Sequence, residues 1–99
     1  MTDTEIIDEL YDVIEDRREN PREDSYTSSL FEHDKGVNAA LEKLGEEATE
    51  VTLAAEDDDE DELVHESADL VYHLLVVLAA HDVELEDLLE ELEERSGSS

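Results

Sequence analysis

Two groups of acidic residues have the spacing of a metal site. Glu46, Glu47 and Glu50 form one group, and Glu66 and Asp69 form the other. If both stretches are helical, the members of each group lie about one turn apart on one side of their helix. Carboxylates that converge between two helices repel one another unless a cation lies between them. Their hard oxygen ligands select Mg²⁺, Mn²⁺ or Ca²⁺, and Mg²⁺ in particular recruits substrate phosphates, which indicates phosphoryl chemistry.

The apolar periodicity predicts that helices position these carboxylates. Four helices are predicted, over residues 3–19, 35–56, 60–81 and 85–95. Thr2 and Glu5 form a capping-box pattern at the first helix, and Asp59 is the predicted N-cap of the third. Residues 20–34 are predicted to be an irregular, hydroxyl-rich connection. Because no segment alternates as a strand does, the fold class is all-α, a four-helix-type bundle.

Helical-wheel positions place part of the acidic set beside buried surface. The predicted core face of the second helix consists of Val37, Leu41, Leu44, Ala48, Val51 and Ala55. Glu47 and Glu50 lie at the margin of that face. On the third helix, Glu66, Asp69 and His73 share one strip, which is otherwise apolar. The two strips are therefore expected to face each other.

The third helix is apolar on every side after Asp69, so several neighbours must cover it. A chain of 99 residues buries too little surface to do this alone, and a homodimer is predicted. Residues 1–95 are expected to form one domain and residues 96–99 a flexible tail. The apolar stretch 70–80 is shorter than the ~18 residues of a membrane span, and the N-terminus is acidic. A cytoplasmic protein without a membrane contact is expected.

The charge is strongly one-sided, with 33 acidic residues against 6 basic ones and a net charge of −27. Disorder, a DNA mimic and adaptation to molar salt are three explanations. The helical patterning argues against disorder, and acid spread over the whole chain argues against an acidic tail. Adaptation to molar salt is favoured, with no nucleic-acid partner. The absence of cysteine excludes disulfides, zinc–thiolate sites and thiol catalysis.

The acidic groups also carry a resemblance. EEATE (residues 46–50) followed by ESAD (66–69) resembles the EExxE…ExxD signature of the all-α nucleotide pyrophosphohydrolase (MazG-like) superfamily. Three longer strings, SYTS (25–28), KLGEEATEV (43–51) and ESADLVYHL (66–74), resemble the phosphoribosyl-ATP pyrophosphohydrolase family. The resemblance extends over about residues 5–93. It implies Mg²⁺-dependent hydrolysis of phosphoribosyl-ATP to phosphoribosyl-AMP and pyrophosphate, the second step of histidine biosynthesis.

Roles follow for the individual residues. The predicted metal ligands are Glu46, Glu47, Glu50, Glu66 and Asp69, and the last four are also the predicted catalytic residues. The predicted substrate contacts are Lys43, His73, Tyr26, Thr27 and Ser28. Lys43 could instead form an ion pair with Glu47, and His73 could be a structural histidine. Members of this family carry additional basic residues before Gly45, which this chain lacks, so Lys43 becomes the candidate cation for the substrate phosphates.

Two other functions remain open at this point. A house-cleaning pyrophosphohydrolase for ordinary or damaged (d)NTPs would share the metal site and differ in the substrate pocket. A non-catalytic acidic helical protein that binds a partner would release no pyrophosphate. Rates on a panel of substrates distinguish a (d)NTP pyrophosphohydrolase from an enzyme for phosphoribosyl-ATP. The absence of hydrolysis of every substrate would identify the non-catalytic protein.

Overall fold

Five α-helices build the chain in a computed structural model, which describes residues 3–32 and 36–98. They are α1 (Glu5–Glu19), α2 (Tyr26–Glu32), α3 (Gly36–Glu56), α4 (Glu60–Ala80) and α5 (Leu85–Ser98). Neither described range contains a strand, so the predicted all-α class is confirmed. α5 continues to Ser98, beyond the predicted helix end at residue 95.

The short helix α2 corrects the prediction of an irregular connection over residues 20–34. Ser25 begins the helix, because its hydroxyl oxygen accepts a hydrogen bond from the Ser28 N–H at 3.1 Å. Ser28 and Leu30 are buried against the rest of the chain. A helix of seven residues is too short to show a periodic apolar pattern, so its stability comes from this docking.

The predicted helix caps are confirmed in part. The Asp59 side chain accepts a hydrogen bond from the Glu62 N–H at 3.1 Å, as expected for the N-cap of α4. At α1 the Glu5 N–H donates to Asp3 Oδ1 at 2.8 Å. The predicted cap residue Thr2 lies outside the described residues.

Two side chains of α1 fix this helix against the end of α4. The buried Tyr11 donates its hydroxyl hydrogen to the Val83 carbonyl at 2.5 Å. Arg18 donates to the Ala79 carbonyl and to Asp82 Oδ1, each at 2.6 Å. Asp82 has a φ of 58°, a conformation that residues other than glycine rarely adopt. The contact with Arg18 lowers the pKa of Asp82, because the guanidinium stabilises the carboxylate.

α3 and α4 form the most extensive helix pair, and their contact corrects the predicted core face of α3. The face buried against the rest of the chain carries Ala40, Glu47 and Ala54. Of the predicted face, Leu44 and Val51 are half-buried, Leu41, Ala48 and Ala55 are exposed, and the Val37 side chain lies outside the described part of the chain. The buried face is therefore rotated toward the small residues, and an apolar strip remains at the surface.

α4 contributes His73, Leu75, Val76 and Ala79 to the buried interior. By length and composition alone it could cross a membrane, although core helices of soluble proteins pass the same test. Its outer side retains exposed apolar residues, with Val64 71% and Val71 41% exposed. Within residues 70–80, which were expected to need cover from several neighbours, Val71 is the exposed side chain and the others are buried or half-buried in the chain itself. Cover from a second copy stays a prediction.

Candidate active site

The carboxylate of Glu47 is buried between α3 and α4 and is paired with an imidazole. Its Oε1 lies 2.8 Å from His73 Nδ1. Glu46 and Glu50, its neighbours in the predicted ligand set, are both exposed. A buried carboxylate is costly unless a donor compensates it, and the imidazole supplies that donor.

The surroundings of His73 define which ring nitrogen carries hydrogen. Nδ1 lies 2.8 Å from Glu47 Oε1 and 3.0 Å from the Asp69 carbonyl oxygen. Because a carbonyl oxygen only accepts, Nδ1 must be the protonated nitrogen. The other nitrogen, Nε2, lies 3.0 Å from the Tyr26 hydroxyl. In the neutral ring Nε2 accepts from that hydroxyl, so one histidine orients a carboxylate and a tyrosine together.

α2 brings the predicted hydroxyl residues to α4, but it does not present them equally. Tyr26 is 53% exposed and stacks on Tyr72 with ring centroids 6.2 Å apart. The Thr27 hydroxyl is hydrogen-bonded to the Tyr72 hydroxyl. Ser28 is fully buried, and its hydroxyl donates to the Arg17 carbonyl at 3.3 Å. Of the three predicted substrate contacts on α2, Tyr26 is thus the one with an accessible side chain.

The acidic residues of α4 form a separate cluster with a histidine. Ligand atoms of His65, Glu66 and Asp69 all lie within 4.8 Å of one another. His65 Nε2 is 3.4 Å from Asp69 Oδ2. The pKa of Glu66 is raised, first by desolvation and then by the hydrogen bond and charge of Glu62 and the charge of Asp69. Two carboxylates and an imidazole are suitable ligands for a divalent cation, which would relieve this crowding.

The remaining predicted residues lie on the exposed side of α3. Glu46 Oε2 is 3.6 Å from Lys43 Nζ, so this lysine pairs with Glu46 and not with Glu47, the alternative partner. Glu50 is exposed and is not in the group of ligand atoms around Asp69. Glu66 and Asp69 therefore lie together, and Glu47 is linked to Asp69 through His73, which contacts the main-chain carbonyl of Asp69. A role for Glu46 and Glu50 in metal binding stays a prediction.

Two residues of the site were not predicted from the sequence. His65 precedes Asp69 by one helical turn, a spacing that places both on one side of α4 and could have identified it. The second residue is Tyr72, whose hydroxyl is hydrogen-bonded to that of Thr27. Burial raises the pKa of Tyr72, so its hydroxyl keeps its hydrogen at neutral pH.

Comparison with known proteins agrees with the resemblance in the motifs. The family model described as phosphoribosyl-ATP pyrophosphohydrolase matches residues 7–96. A protein of Haloarcula marismortui named phosphoribosyl-ATP pyrophosphatase is 63% identical over 91 residues, which cover 92% of this chain and 93% of the relative. A relative with the same name from Halobacterium salinarum is 65% identical over 88% of this chain and 93% of its own length. Another, from Methanococcoides burtonii, is 50% identical over 96% of this chain and 98% of its own length.

The matched region includes all five helices, apart from the first residues of α1 and the last of α5. It also contains every residue of the hydrogen-bonded Glu47–His73–Tyr26 chain and of the acidic cluster on α4. Two of these relatives come from organisms whose names denote salt habitats, in keeping with the acidic composition. This chain belongs to the phosphoribosyl-ATP pyrophosphohydrolase family.

Proposed function

We propose that the protein hydrolyses phosphoribosyl-ATP to phosphoribosyl-AMP and pyrophosphate, the second step of histidine biosynthesis. Water provides the oxygen of the new P–O bond, and the P–O bond between the α- and β-phosphates breaks. The proton of the water passes to a carboxylate. The observation that carries the proposal is the chain of hydrogen bonds from the buried Glu47 through His73 to Tyr26. It connects α3, α4 and α2, the three helices that carry the family motifs.

Mg²⁺ is the proposed cofactor, held by Glu66 and Asp69 together with the carboxylates of α3, namely Glu46, Glu47 and Glu50. Desolvation, and after it the hydrogen bond and charge of Glu62 and the charge of Asp69, raise the pKa of Glu66. The repulsive part supports a cation here, because a divalent charge at the cluster would offset it. The donor atoms are the hard oxygens that Mg²⁺ prefers. When bound, Mg²⁺ would neutralise and polarise the phosphoryl oxygens.

The side chains around the cluster position the reacting groups. His73 fixes the carboxylate of Glu47 from one side and the hydroxyl of Tyr26 from the other. Because Tyr26 is half exposed beside Tyr72, it is the proposed contact of α2 with the nucleotide. Thr27 and Ser28 hold α2 in place, because their hydroxyls are hydrogen-bonded to the Tyr72 hydroxyl and the Arg17 carbonyl.

Release of pyrophosphate from phosphoribosyl-ATP with Mg²⁺ in molar KCl tests the proposal. The wild type should hydrolyse phosphoribosyl-ATP in preference to a panel of ordinary (d)NTPs. Glu47→Gln should lose more than ten-fold in rate, about 1.4 kcal/mol of barrier. Glu56→Gln, an exposed change at the end of the same helix, is the matched control and should keep the wild-type rate. Preference for a (d)NTP, or no release at all, would contradict the proposal.

A homodimer is the proposed assembly. The strip of α3 and α4 that faces away from the core has several large apolar side chains at least two-fifths exposed: Leu41, Leu53, Val64 and Val71. Large apolar side chains exposed together on two packed helices are a common feature of interfaces between copies of a chain. A second copy that covers this strip would also cover the apolar side of α4, which supports a cytoplasmic protein without a membrane contact.

The acidic surface is proposed as an adaptation to molar salt. At a net charge of −27 the chain repels itself at low ionic strength, and salt screens that repulsion over a few ångströms. The same charge disfavours a nucleic-acid partner, since both molecules are polyanions.

A further inference from the structure

A cavity of about 270 Å³ lies between the end of α1 and the start of α2, and it is lined by Arg17, Arg22, Asp24 and Ser25. The whole chain has 6 basic residues against 33 acidic ones. Two of those six therefore line a single cavity, in a protein whose surface is otherwise acidic. Two guanidinium groups that line one cavity can bind an anion together, because each has several N–H donors.

The buried hydroxyl of Ser28 holds the backbone of both arginines in place. Ser28 Oγ accepts a hydrogen bond from the Arg22 N–H at 2.9 Å and donates to the Arg17 carbonyl at 3.3 Å. Ser28 is 0% exposed, so these bonds are shielded from water. The end of α1, which carries Arg17, and the connection to α2, which carries Arg22, are thereby held together through one side chain.

The polar groups of the cavity have donors to offer. Arg17 uses Nη1 for Asp16 Oδ2 at 2.6 Å, and its side chain is 22% exposed. Arg22 Nε lies 3.7 Å from Asp24 Oδ1, a long and exposed pair. A guanidinium has five N–H donors in a planar arrangement that matches phosphate oxygens. Ser25 Oγ accepts from the Ser28 N–H, a role that leaves the Ser25 hydroxyl hydrogen to donate.

Other cations of the described ranges are placed elsewhere. Arg18 is bound to the end of α4 through Ala79 and Asp82. Lys43 is exposed and pairs with Glu46. Arg95 lies near the end of α5 and pairs with Glu91 at 3.4 Å. Arg17 and Arg22 are therefore better placed to meet a substrate phosphate than Lys43, the candidate that the sequence indicates.

The position of the cavity determines which phosphate it can take. Ser25 lines it, and the next residue, Tyr26, reaches His73 and through it Glu47. The residues that line the cavity include no proposed metal ligand. The phosphates that are cleaved must lie at the metal site, so the cavity is available for a different phosphate of the substrate. Phosphoribosyl-ATP has one more phosphate, at the end of its phosphoribosyl group.

We infer that Arg17, Arg22 and Ser25 bind the phosphate of the phosphoribosyl group, the anionic end that ordinary nucleoside triphosphates lack. The inference rests on the proposed function and adds a basis for its substrate preference. Asp24 and Asp16 oppose the binding, but their side chains are 82% and 53% exposed, and water and salt screen their charges.

Steady-state kinetics in molar KCl test the inference, with ATP as a competitor that has the triphosphate and lacks the phosphoribosyl group. Arg22→Gln should raise the KM for phosphoribosyl-ATP about ten-fold, the ratio expected for one lost charge-assisted hydrogen bond. It should leave kcat and the inhibition constant of ATP nearly unchanged, because the lost contact is remote from the cleaved bond. Asp24→Asn should lower the KM, a result that a loss of structure would not give.

Arg95→Gln makes the same change of charge on α5 and is the matched control, with no change in KM expected. Circular dichroism verifies that each variant is folded. A wild-type KM in Arg22→Gln, an equal rise in the ATP inhibition constant, or an equal effect of Arg95→Gln would overturn the inference while wild-type hydrolysis continues. A wild type that does not hydrolyse phosphoribosyl-ATP would instead overturn the proposed function itself.

Discussion

Removing the imidazole of His73 should destabilise the protein far more than removing the charge of Glu47. In His73→Ala the Glu47 carboxylate remains buried, at 7% exposure, and loses its donor at 2.8 Å. In Glu47→Gln the side-chain amide oxygen still accepts from His73 Nδ1–H. His73→Ala therefore leaves a buried charge without a donor, whereas Glu47→Gln removes the charge and keeps the hydrogen bond.

The structure sets the size of this difference. Loss of one partner of a buried ion pair or charged hydrogen bond costs about 3–5 kcal/mol, and we expect about 3 kcal/mol for His73→Ala because some water can reach the site. Exchange of a charged acceptor for a neutral one should cost about 1 kcal/mol in Glu47→Gln. Domains of this kind have a free energy of unfolding of about 5–15 kcal/mol, so the first loss is a large share of the total.

Urea unfolding in molar KCl without Mg²⁺ measures these values, with the double variant as the fourth corner of a cycle. Because Glu47→Gln removes the buried charge, it should rescue part of the loss in His73→Ala, by about 1 kcal/mol or more. His65→Ala, at an exposed histidine of the same helix, should change the free energy of unfolding by less than about 0.5 kcal/mol. Losses in the double variant that equal the sum of the single losses would refute the view that His73 holds the Glu47 carboxylate.

Three further outcomes are expected. Val64→Glu, at a side chain 71% exposed on the apolar strip, should turn the dimer into a monomer in sedimentation, and a wild type already monomeric at micromolar concentration would refute the assembly. Millimolar Mg²⁺ should raise the free energy of unfolding by a saturable increment beyond the effect of KCl. Asp69→Asn should abolish the Mg²⁺ increment and keep the KCl effect, and an identical Mg²⁺ response in both proteins would indicate general screening only. The raised pKa of Glu66 means that the folded state binds this proton more readily than the unfolded state, so without Mg²⁺ its contribution favours folding below the raised pKa and declines as pH rises through it. Thermal unfolding at pH 5 and pH 7 should thus show that the melting temperature rises less on acidification in Glu66→Gln than in the wild type. An equal rise in both proteins would contradict a contribution from Glu66.

Helical periodicity was sufficient to predict the long helices and the strip of Glu66, Asp69 and His73. These residues lie on α4, where the surrounding positions are apolar, so the polar strip is distinct. The same arithmetic placed Glu47 at the margin of a core face, and it is buried. It could not predict which face of α3 is buried, because the exposed face with Leu41 and Ala48 is more apolar than the buried face with Glu47. Apolar periodicity does not distinguish a core from an interface with another copy.

The parts of the site that depend on tertiary contacts were not accessible from the sequence. α2 has seven residues and is stabilised by docking, so the segment reads as a loop. Ser28 belongs to a hydroxyl-rich string that suggests substrate binding, yet it is fully buried and bonded to backbone groups. The pair of Arg17 and Arg22 is separated along the chain by the end of a helix, and the cavity between them exists only after folding.

The contact of Arg18 with the end of α4 has a consequence for stability in molar salt, the medium that the acidic surface is proposed to suit. Its guanidinium touches a carbonyl oxygen and a carboxylate at 2.6 Å, a distance at which no ion of the medium can intervene. Attraction between charges farther apart than about 3 Å is largely lost in molar salt. A cation in such a medium stabilises through what it touches and no longer through the field it creates. Exposed lysines thereby become dispensable, whereas an arginine anchored to the backbone keeps its full value.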